Sequence, residues 1–546
     1  MNHAYVMTAD RPVPQYRPAE ITLSGMTGRN NPYAEIEAEA VFVSPSGRPF
    51  RQPAFWDGGN TWKVRFAPDE PGKWSWKTVC TDPSDKGLHG VTGVLECVPN
   101  GGDLDIERHG MIRVGGDGRY FVHADGTPFL WLGDTHWMMF DTESLDDCNH
   151  PVHAGGKCPF GGLMQHIAAV RRRNGFTVFQ TYPNAGKNWF MKDRTDMVDP
   201  ERFRQAFDPV MEHLASLGFV IALGVGHYTA SVRIPEADLC RWGRYIAARY
   251  GAFPVVWITC QEMNSPAIQG GAEANRQAVW EKVAAEIARA NGMGRPHSAH
   301  QWVTEPEERP VWHLPWHSWF ALQGGHTGSG LAPQKRYQAY RACRPVRPVV
   351  ETEAMYEYVD CGGVAYSEDA RRAAWRAMLC GCCGYTYGAA GIWALKKSPD
   401  DKAWLNYNRG IRAWYDGLGL PGASQMRIMA DFFRSIPWTD LEPRFGDPAW
   451  SRRRDPENCV LASAGNDLYL AYCHGKTSAG ELRGMDADAV YSAEWFDPRT
   501  GTVRPISDSV RPSAKGRWSM PERPSETDWL LVVKRKTETP VPVMKR

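Results

Sequence analysis

The sequence predicts a multidomain protein of the α/β plus all-β class, in which a central (β/α)8 TIM barrel is flanked by N-terminal and C-terminal β-sandwiches. Three features of the sequence lead to this prediction. Short alternating strands fill the N-terminal region, strands and amphipathic helices alternate from about residue 110 to 420, and strands without helices return after about residue 430. The predicted domains are residues 1–103, 104–428 and 429–546.

The N-terminal region has the period of half-buried strands. Apolar and polar residues alternate in residues 35–43, 61–66 and 73–79, and turns such as Asp57-Gly-Gly-Asn60 separate these runs. Short strands at this spacing predict an antiparallel β-sandwich of about 80 residues.

The central region repeats a strand followed by a helix. The predicted strands are residues 129–132, 177–180, 219–223, 255–258, 297–300, 319–323, 348–351 and 384–387. The helices show apolar stripes such as Leu163, Ile167 and Val170, with a stop at Asn174-Gly175. Eight such repeats predict a (β/α)8 barrel. A doubly wound open sheet is the alternative, but no Gly-rich phosphate-binding pattern follows the first strand.

Composition argues against several classes of partner. The chain of 546 residues has 63 Lys and Arg against 62 Asp and Glu, whereas a nucleic-acid-binding protein needs a basic face. No apolar run approaches the ~20 residues that span a bilayer, so no membrane partner is predicted. The first residues show no basic stretch followed by an apolar core, which predicts a cytoplasmic chain; a trimmed leader would instead make it secreted or periplasmic.

The aromatic content favours a carbohydrate ligand. The chain has 23 Trp, 20 Tyr and 20 Phe, and flat aromatic rings stack on the apolar faces of sugars.

The 13 Cys are expected to be reduced thiols, because a disulfide scaffold is unusual in so long a chain. No cofactor is predicted, and a homo-oligomer is left open.

Two glutamates are the predicted catalytic pair. Glu262 follows the fourth predicted strand and Glu353 the seventh, so in a barrel both lie at the C-terminal mouth. Hydrolysis of a glycoside needs an acid for the leaving oxygen and a second carboxylate. We predict Glu262 as general acid/base and Glu353 as nucleophile. Glu351 would point to the same side in a continuing strand and is the alternative nucleophile.

The other strand ends supply groups suited to binding a sugar, with polar groups for hydroxyls and aromatic rings for stacking. The predicted substrate-binding residues are Asp134, Trp137, Asn184, His227, His300, His326, Glu351, Tyr356 and Trp393. The three histidines would also suit zinc, which leaves a metal-dependent hydrolase as a remote alternative. No His-x-x-x-His helical spacing supports a metal, and none is predicted.

Several stretches resemble the apiosidase-like family of (β/α)8 glycoside hydrolases, which belongs to the large retaining-glycosidase clan. They are residues 119–137, 255–264, 322–326, 347–357 and 384–388. Residues 55–74 resemble the β-sandwich that often precedes this barrel, and residues 493–501 resemble the one that often follows it. The resemblance covers nearly the whole chain.

The resemblance implies roles for individual residues. The family's acid is commonly an Asp in a Gly-Gly-Asp-Arg-Asn-like motif, and Glu262 stands at that position in Cys260-Gln-Glu-Met-Asn264. Glu is the more usual acid in the wider clan. The strand-seven Glu of the family matches Glu353, and its Gly-Asp-Thr matches Gly133-Asp134-Thr135, which implies that Asp134 binds the sugar in the −1 site.

We therefore expect a glycoside hydrolase that cleaves an oligosaccharide or a polysaccharide-derived fragment by a retaining, two-glutamate mechanism. A catalytically inactive carbohydrate-binding scaffold on the same barrel is the alternative.

Overall fold

The N-terminal strands form two facing sheets. The computed structural model describes residues 5–142, 162–183, 189–192, 194–265, 273–302, 306, 311–326, 330–402, 407–408, 410–452, 455–475 and 480–536. The first strands are β1 (Met7–Thr8), β2 (Val13–Pro14), β3 (Ala19–Ser24), β4 (Ala38–Val43), β5 (Pro49–Pro53), β6 (Phe55–Trp56), β7 (Thr61–Phe66), β8 (Gly72–Cys80) and β9 (Thr92–Val98). One sheet has the order β1-β3-β7-β6 and the other β2-β9-β8-β4-β5. Alternate residues face inward, and Phe42 stacks on Phe66 with ring centroids 4.0 Å apart.

A curled parallel sheet follows, after the small strands β10 (Arg113–Val114), β11 (Phe121–Val122) and β12 (Pro128–Phe129). Its strands are β13 (Trp131–Thr135), β14 (Val178–Thr181), β15 (Val220–Leu223), β16 (Val255–Trp257), β17 (Phe320–Gln323), β18 (Val349–Glu353) and β19 (Gly384–Tyr387). Their order is β16-β15-β14-β13-β19-β18-β17. The predicted fifth strand joins the two ends through parallel bridges from His297 to Trp257 and from His300 to Ala321. The predicted TIM-barrel core between β domains is thereby confirmed.

Helices surround the barrel and explain why its strands are apolar on both faces. Val178, Val220 and Val256 pack in the interior, whereas Phe179 and Ile221 pack against the helical layer. The helices are α1 (Pro32–Glu35), α2 (Asp105–His109), α3 (Met139–Thr142), α4 (Leu163–Arg173), α5 (Pro200–Arg202), α6 (Asp208–Ser216), α7 (Ala230–Arg233), α8 (Glu236–Tyr250), α9 (Glu273–Ala290), α10 (Gln334–Ala342), α11 (Ser367–Leu379), α12 (Trp414–Leu418) and α13 (Pro421–Arg434). A π-helical turn spans Phe203–Phe207, and a 3₁₀ turn spans Trp438–Asp440. Among the described helices, none is long and apolar enough to cross a bilayer.

The C-terminal strands form two further sheets, with the orders β20-β22-β23-β28-β25-β26 and β21-β24-β27. They are β20 (Glu442–Pro443), β21 (Ser451–Arg452), β22 (Cys459–Ala464), β23 (Leu468–Cys473), β24 (Glu481–Leu482), β25 (Tyr491–Phe496), β26 (Val503–Val510), β27 (Trp518–Ser519) and β28 (Trp529–Arg535). Cys459 and Cys473 lie directly opposite each other in β22 and β23 and form a disulfide. The expectation of reduced thiols is therefore wrong for this pair, because the chain reversal brings together two cysteines that lie 14 residues apart.

Buried ion pairs join the N-terminal sheets to the barrel. Asp208 of α6 accepts hydrogen bonds from Arg65 of β7 and from Arg249 of α8. Arg249 also donates to Asp57, which follows β6. All four side chains are less than a tenth exposed, so the charges at this junction compensate one another out of water.

Candidate active site

Glu353 reaches the barrel mouth because β18 carries an extra residue. Leu322 pairs with Glu351, and the next residue of β17, Gln323, pairs with Glu353. Thr352 is therefore the added residue of a β-bulge, a feature that changes the direction of the side chains that follow it. Glu353 consequently contacts residues from the ends of the fourth, fifth and sixth strand positions.

Two imidazoles and an amide surround the Glu353 carboxylate. Nε2 of His300 lies 3.2 Å from Oε2, and Nε2 of His326 lies 3.2 Å from Oε1. Gln261 donates from Nε2 to Oε2 at 3.3 Å. Burial alone would raise the pKa of Glu353, but its contacts with His300 and His326 outweigh burial and bring this pKa well below its ordinary range. Glu353 is therefore a carboxylate held ionised in a buried site.

The same contact perturbs His326. Burial lowers its pKa, but the hydrogen bond and the negative charge of Glu353 outweigh burial, and the pKa of His326 lies above its ordinary value. His326 thus tends to keep a proton beside the ionised glutamate.

Glu262 lies in an unusual turn after β16. Its φ angle of 55° is in the left-handed region, as is that of Thr259 at 42°. A non-glycine residue there costs on the order of 1–3 kcal/mol, and such residues cluster at functional sites. The backbone N–H of Glu262 donates to Nδ1 of His300 at 3.3 Å, and Gln323 donates from Nε2 to Oε1 of Glu262 at 3.3 Å. Both glutamates therefore belong to one connected cluster.

Glu351 does not share the surroundings of Glu353, contrary to the expectation that both point to the same side. Its carboxyl group accepts the backbone N–H of Gly324 at 2.7 Å and the hydroxyl of Tyr337 in α10 at 2.9 Å. Complete burial raises its pKa to about 8. Glu351 is thus mostly protonated at neutral pH, on the helical side of the bulge.

Asp134 is likewise turned toward the helices. It is completely buried, and its Oδ2 accepts Nε of Arg171 in α4 at 2.8 Å. Burial raises the pKa of Asp134, although the Arg171 charge opposes this effect. The structure therefore shows Asp134 in an ion pair between β13 and α4, away from the paired glutamates.

Aromatic rings line the space beside Glu353. Nε1 of Trp137 donates to the hydroxyl of Tyr356 at 3.2 Å, and both side chains are almost completely buried. The Tyr356 ring lies 5.2 Å from His326 and 6.1 Å from the partly exposed Trp393, measured between ring centroids. Nε2 of His227 lies 3.8 Å from Oε2 of Glu262. Trp137, His227, His326, Tyr356 and Trp393 are thus brought together with the two glutamates.

Two further contacts are absent from the sequence-based prediction. Gln261 and Gln323 each donate to one of the glutamates. The only feature of the sequence that could have indicated them is their position, since Gln261 directly precedes Glu262 and Gln323 ends β17.

Asn184, a predicted substrate-binding residue, lies outside the described residues. Within the part of the chain that the structure describes, no group of His, Cys, Asp and Glu side chains could hold a metal ion.

A (β/α)8 barrel with two glutamates at its mouth is the arrangement that glycosidases of this fold share. The family model described as "Apiosidase-like, catalytic domain" matches residues 116–440, more than half of the chain. The chain belongs to this family and is a glycosidase. Residues 12–81 match a domain of unknown function, and residues 450–534 match a model named after a collagen-binding domain of a collagenase.

Solved structures share the fold. A Bacteroides vulgatus ATCC 8482 protein named as a glycoside hydrolase is 17% identical, with a TM-score of 0.71 over 96% of this chain and 99% of its own. A second structure, named "Glycoside hydrolase", is 20% identical, with a TM-score of 0.62 over 79% of this chain and 98% of its own. A family 5 glycoside hydrolase, also from Bacteroides vulgatus ATCC 8482, is 19% identical, with a TM-score of 0.62 over 79% of this chain and 95% of its own. No curated protein matches the sequence.

Proposed function

We propose that the chain is a retaining glycoside hydrolase in which Glu353 is the nucleophile and Glu262 the general acid/base. The observation that supports this most strongly is the buried Glu353 carboxylate, whose pKa is lowered by two histidines at the barrel mouth. A nucleophilic carboxylate has to be ionised, and a buried one needs such partners to remain so. The substrate we propose is an oligosaccharide or a polysaccharide-derived fragment.

The proposed reaction has two displacements at the anomeric carbon. In the first, Glu353 attacks this carbon while the bond to the leaving oxygen breaks and Glu262 gives that oxygen its proton. In the second, Glu262 takes a proton from water, the water oxygen bonds to the anomeric carbon, and the carboxylate of Glu353 is released. Both carboxyl groups end the cycle in their starting states.

Substrate binding is proposed for the groups that face the same space. His227 and His326 are partly exposed and suited to hydrogen bonds with hydroxyls. Trp393 is partly exposed and, with Tyr356, suited to stacking on a sugar ring.

The test is hydrolysis of a panel of aryl glycosides and plant or algal oligosaccharides by the wild type, Glu262→Gln and Glu353→Gln. We expect Glu353→Gln to lower kcat/KM on the order of 10⁴-fold, and Glu262→Gln on the order of 10²–10⁴-fold. Glu201→Gln, at a side chain that is 59% exposed, is the matched control and should retain full activity.

The stereochemistry of the product tests the mechanism separately. Proton NMR during the first turnovers should show the product with the anomeric configuration of the substrate. Inversion would contradict the retaining mechanism, and activity that survives in both Gln variants would contradict the assignment of the glutamates.

A further inference from the structure

His300 lies between the two proposed catalytic glutamates. It occupies the fifth strand position, and its side chain is 0% exposed. Its Nδ1 accepts the backbone N–H of Glu262 at 3.3 Å, and its Nε2 lies 3.2 Å from Oε2 of Glu353. The Trp137 ring packs edge-on against the imidazole, with centroids 5.5 Å apart at 84°. Each ring nitrogen of His300 thus faces a different glutamate, in a fixed orientation.

The chemistry of these contacts determines where His300 carries its proton. A backbone N–H is always a donor, so the nitrogen that faces it has to be the unprotonated one. Neutral imidazole has one proton, which must then be on Nε2, the nitrogen beside the Glu353 carboxylate. The hydrogen bond at Nδ1 and the contact of Nε2–H with Glu353 therefore require the same tautomer, because moving the proton to Nδ1 would disrupt both.

We propose that His300 is a positioning residue that connects the left-handed backbone of Glu262 to the carboxylate of Glu353 through a single Nε2–H tautomer. This proposal rests on the roles proposed above for the two glutamates. It gives His300 a function different from the binding of a sugar hydroxyl, because its imidazole is completely buried and each ring nitrogen faces one of the two glutamates. Nδ1 holds the turn that presents the acid/base, and Nε2–H orients the nucleophile.

Other contacts in the site allow the Nδ1 contact and the Nε2 contact of His300 to be removed one at a time. Gln261 and His326 also hold the Glu353 carboxylate, so removing one donor leaves others in place. On the other side, the turn at Glu262 also depends on the backbone of His300, whose C=O accepts the N–H of Met263 at 2.9 Å. A substitution at position 300 can therefore remove one side-chain contact while the backbone contact remains.

Two substitutions of similar size separate the two contacts. His300→Gln places an amide N–H near the Nε2 position and loses the acceptor for the Glu262 N–H. His300→Asn places a carbonyl oxygen near the Nδ1 position and loses the donor to Glu353. The substrates are the phenyl and 2,4-dinitrophenyl glycosides of the sugar that the wild type hydrolyses fastest. Dinitrophenolate leaves without a proton, so a defect in the general acid disappears with this substrate, whereas a defect in the nucleophile remains.

For His300→Gln we expect kcat/KM to fall about 10²-fold with the phenyl glycoside and less than about tenfold with the dinitrophenyl glycoside. For His300→Asn we expect a loss of about 10²-fold with both substrates. Equal losses with both substrates in both variants, or a change in KM alone, would overturn the proposal. Glu262→Gln and Glu353→Gln are run in parallel, and full activity in those two would instead refute the proposed function.

A second measurement does not depend on activity or on the folding of both variants. The ¹⁵N NMR spectrum of the wild type labelled at histidine should show His300 as the Nε2–H tautomer, with Nδ1 unprotonated. The resonance is assigned by its loss in either His300 variant. A protonated Nδ1 in the wild type would overturn the proposal whatever the substrate proves to be.

Discussion

Glu351 and Glu353 are chemically identical residues with opposite protonation in the same strand. The pKa of Glu351 is raised to about 8 by burial, so at neutral pH it is a neutral acid bonded to Tyr337 and Gly324. We expect Glu351→Gln to keep kcat/KM at pH 7 within about fivefold of the wild type. The amide can accept the Gly324 N–H and donate to the Tyr337 hydroxyl, which replaces both contacts of the acid.

The same variant should alter the dependence of stability on pH. The folded chain binds the Glu351 proton more tightly than the unfolded chain, so the wild type should lose up to ~4 kcal/mol of stability as pH rises from about 4.5 to 8. Glu351→Gln should lack this loss, so its melting temperature should exceed that of the wild type at pH 8.5. A large loss of activity in Glu351→Gln, with Glu353→Gln still active, would instead make Glu351 the nucleophile.

His326 should also contribute to the stability of the folded chain, through its contact with Glu353 and over a different pH range from Glu351. Its pKa is raised in the folded chain because Glu353 faces it, so its contribution is fully present below the ordinary histidine pKa of about 6.5. This contribution is lost as pH rises through the higher pKa of the folded chain. We expect His326→Gln to be less stable than the wild type by about 1.5–3 kcal/mol at pH 5.5, and the difference in melting temperature should shrink toward pH 9.

The control for His326 is His109→Gln. His109 pairs with Asp125 at a site where the two side chains are 34% and 45% exposed, so its loss should cost at most about 1 kcal/mol at any pH. A difference between wild type and His326→Gln that stays constant from pH 5.5 to 9 would contradict the charge pairing of His326 with Glu353.

At the scale of the element, the bulge in β18 depends on the absence of a side chain at Gly324. A Cβ there would lie 2.4 Å from Oε2 of Glu351, and the Gly324 N–H also donates to the C=O of Glu353 at 2.9 Å. We expect Gly324→Ala to destabilise the chain by about 1–3 kcal/mol and to lower kcat about tenfold or more, because the displaced backbone moves Glu353, the proposed nucleophile.

Gly116→Ala is the matched control for this substitution. No atom outside its neighbours lies within 4 Å of the Cβ position of Gly116, so both stability and kcat should be unchanged. Activity measurements and thermal denaturation of the two variants decide the question. Wild-type kcat in Gly324→Ala would show that the bulge does not position Glu353.

The barrel strands also show which features of the fold can be predicted from the sequence. Eight apolar runs predicted the barrel strands, and Gly384–Tyr387 has the predicted bounds, because burial on both faces gives a strand a continuous apolar sequence. The seventh strand extends to Glu353, two residues beyond the prediction. Alternation alone could not place Glu351 and Glu353 on different sides, since a bulge depends on pairing with β17 rather than on the local sequence.

The same limit applies to polar residues at strand ends. Asp134 follows an apolar run, as a site residue would, yet its partner Arg171 comes from α4 and is visible only in the fold. Gln261 and Gln323 carry no pattern of their own, and their contacts with the glutamates depend on how separate strands meet. Sequence thus predicts which strand ends supply the candidate site better than it predicts which way each side chain turns.

At the scale of the whole molecule, a buried ionic network joins the N-terminal sheets to the barrel. Asp208 is the shared acceptor of Arg65 and Arg249, which come from opposite sides of the junction. Burial would raise the pKa of Asp208, but the two arginines outweigh burial and lower this pKa far below its ordinary range. Net charge and composition gave no sign of this network, since the surplus over the whole chain is only +1.

We expect Asp208→Asn to cost about 3–5 kcal/mol, because it leaves two buried arginines with too little compensating charge. The exposed Asp431, which pairs with Arg427 of the same helix at 3.3 Å, is the control, and Asp431→Asn should cost no more than about 0.5 kcal/mol. Limited proteolysis locates the effect, because a weakened junction should expose the segment between β9 and β10 to cleavage before the barrel itself unfolds. An Asp208→Asn chain with the melting temperature and cleavage pattern of the wild type would show that the junction is held by its apolar contacts rather than by these charges.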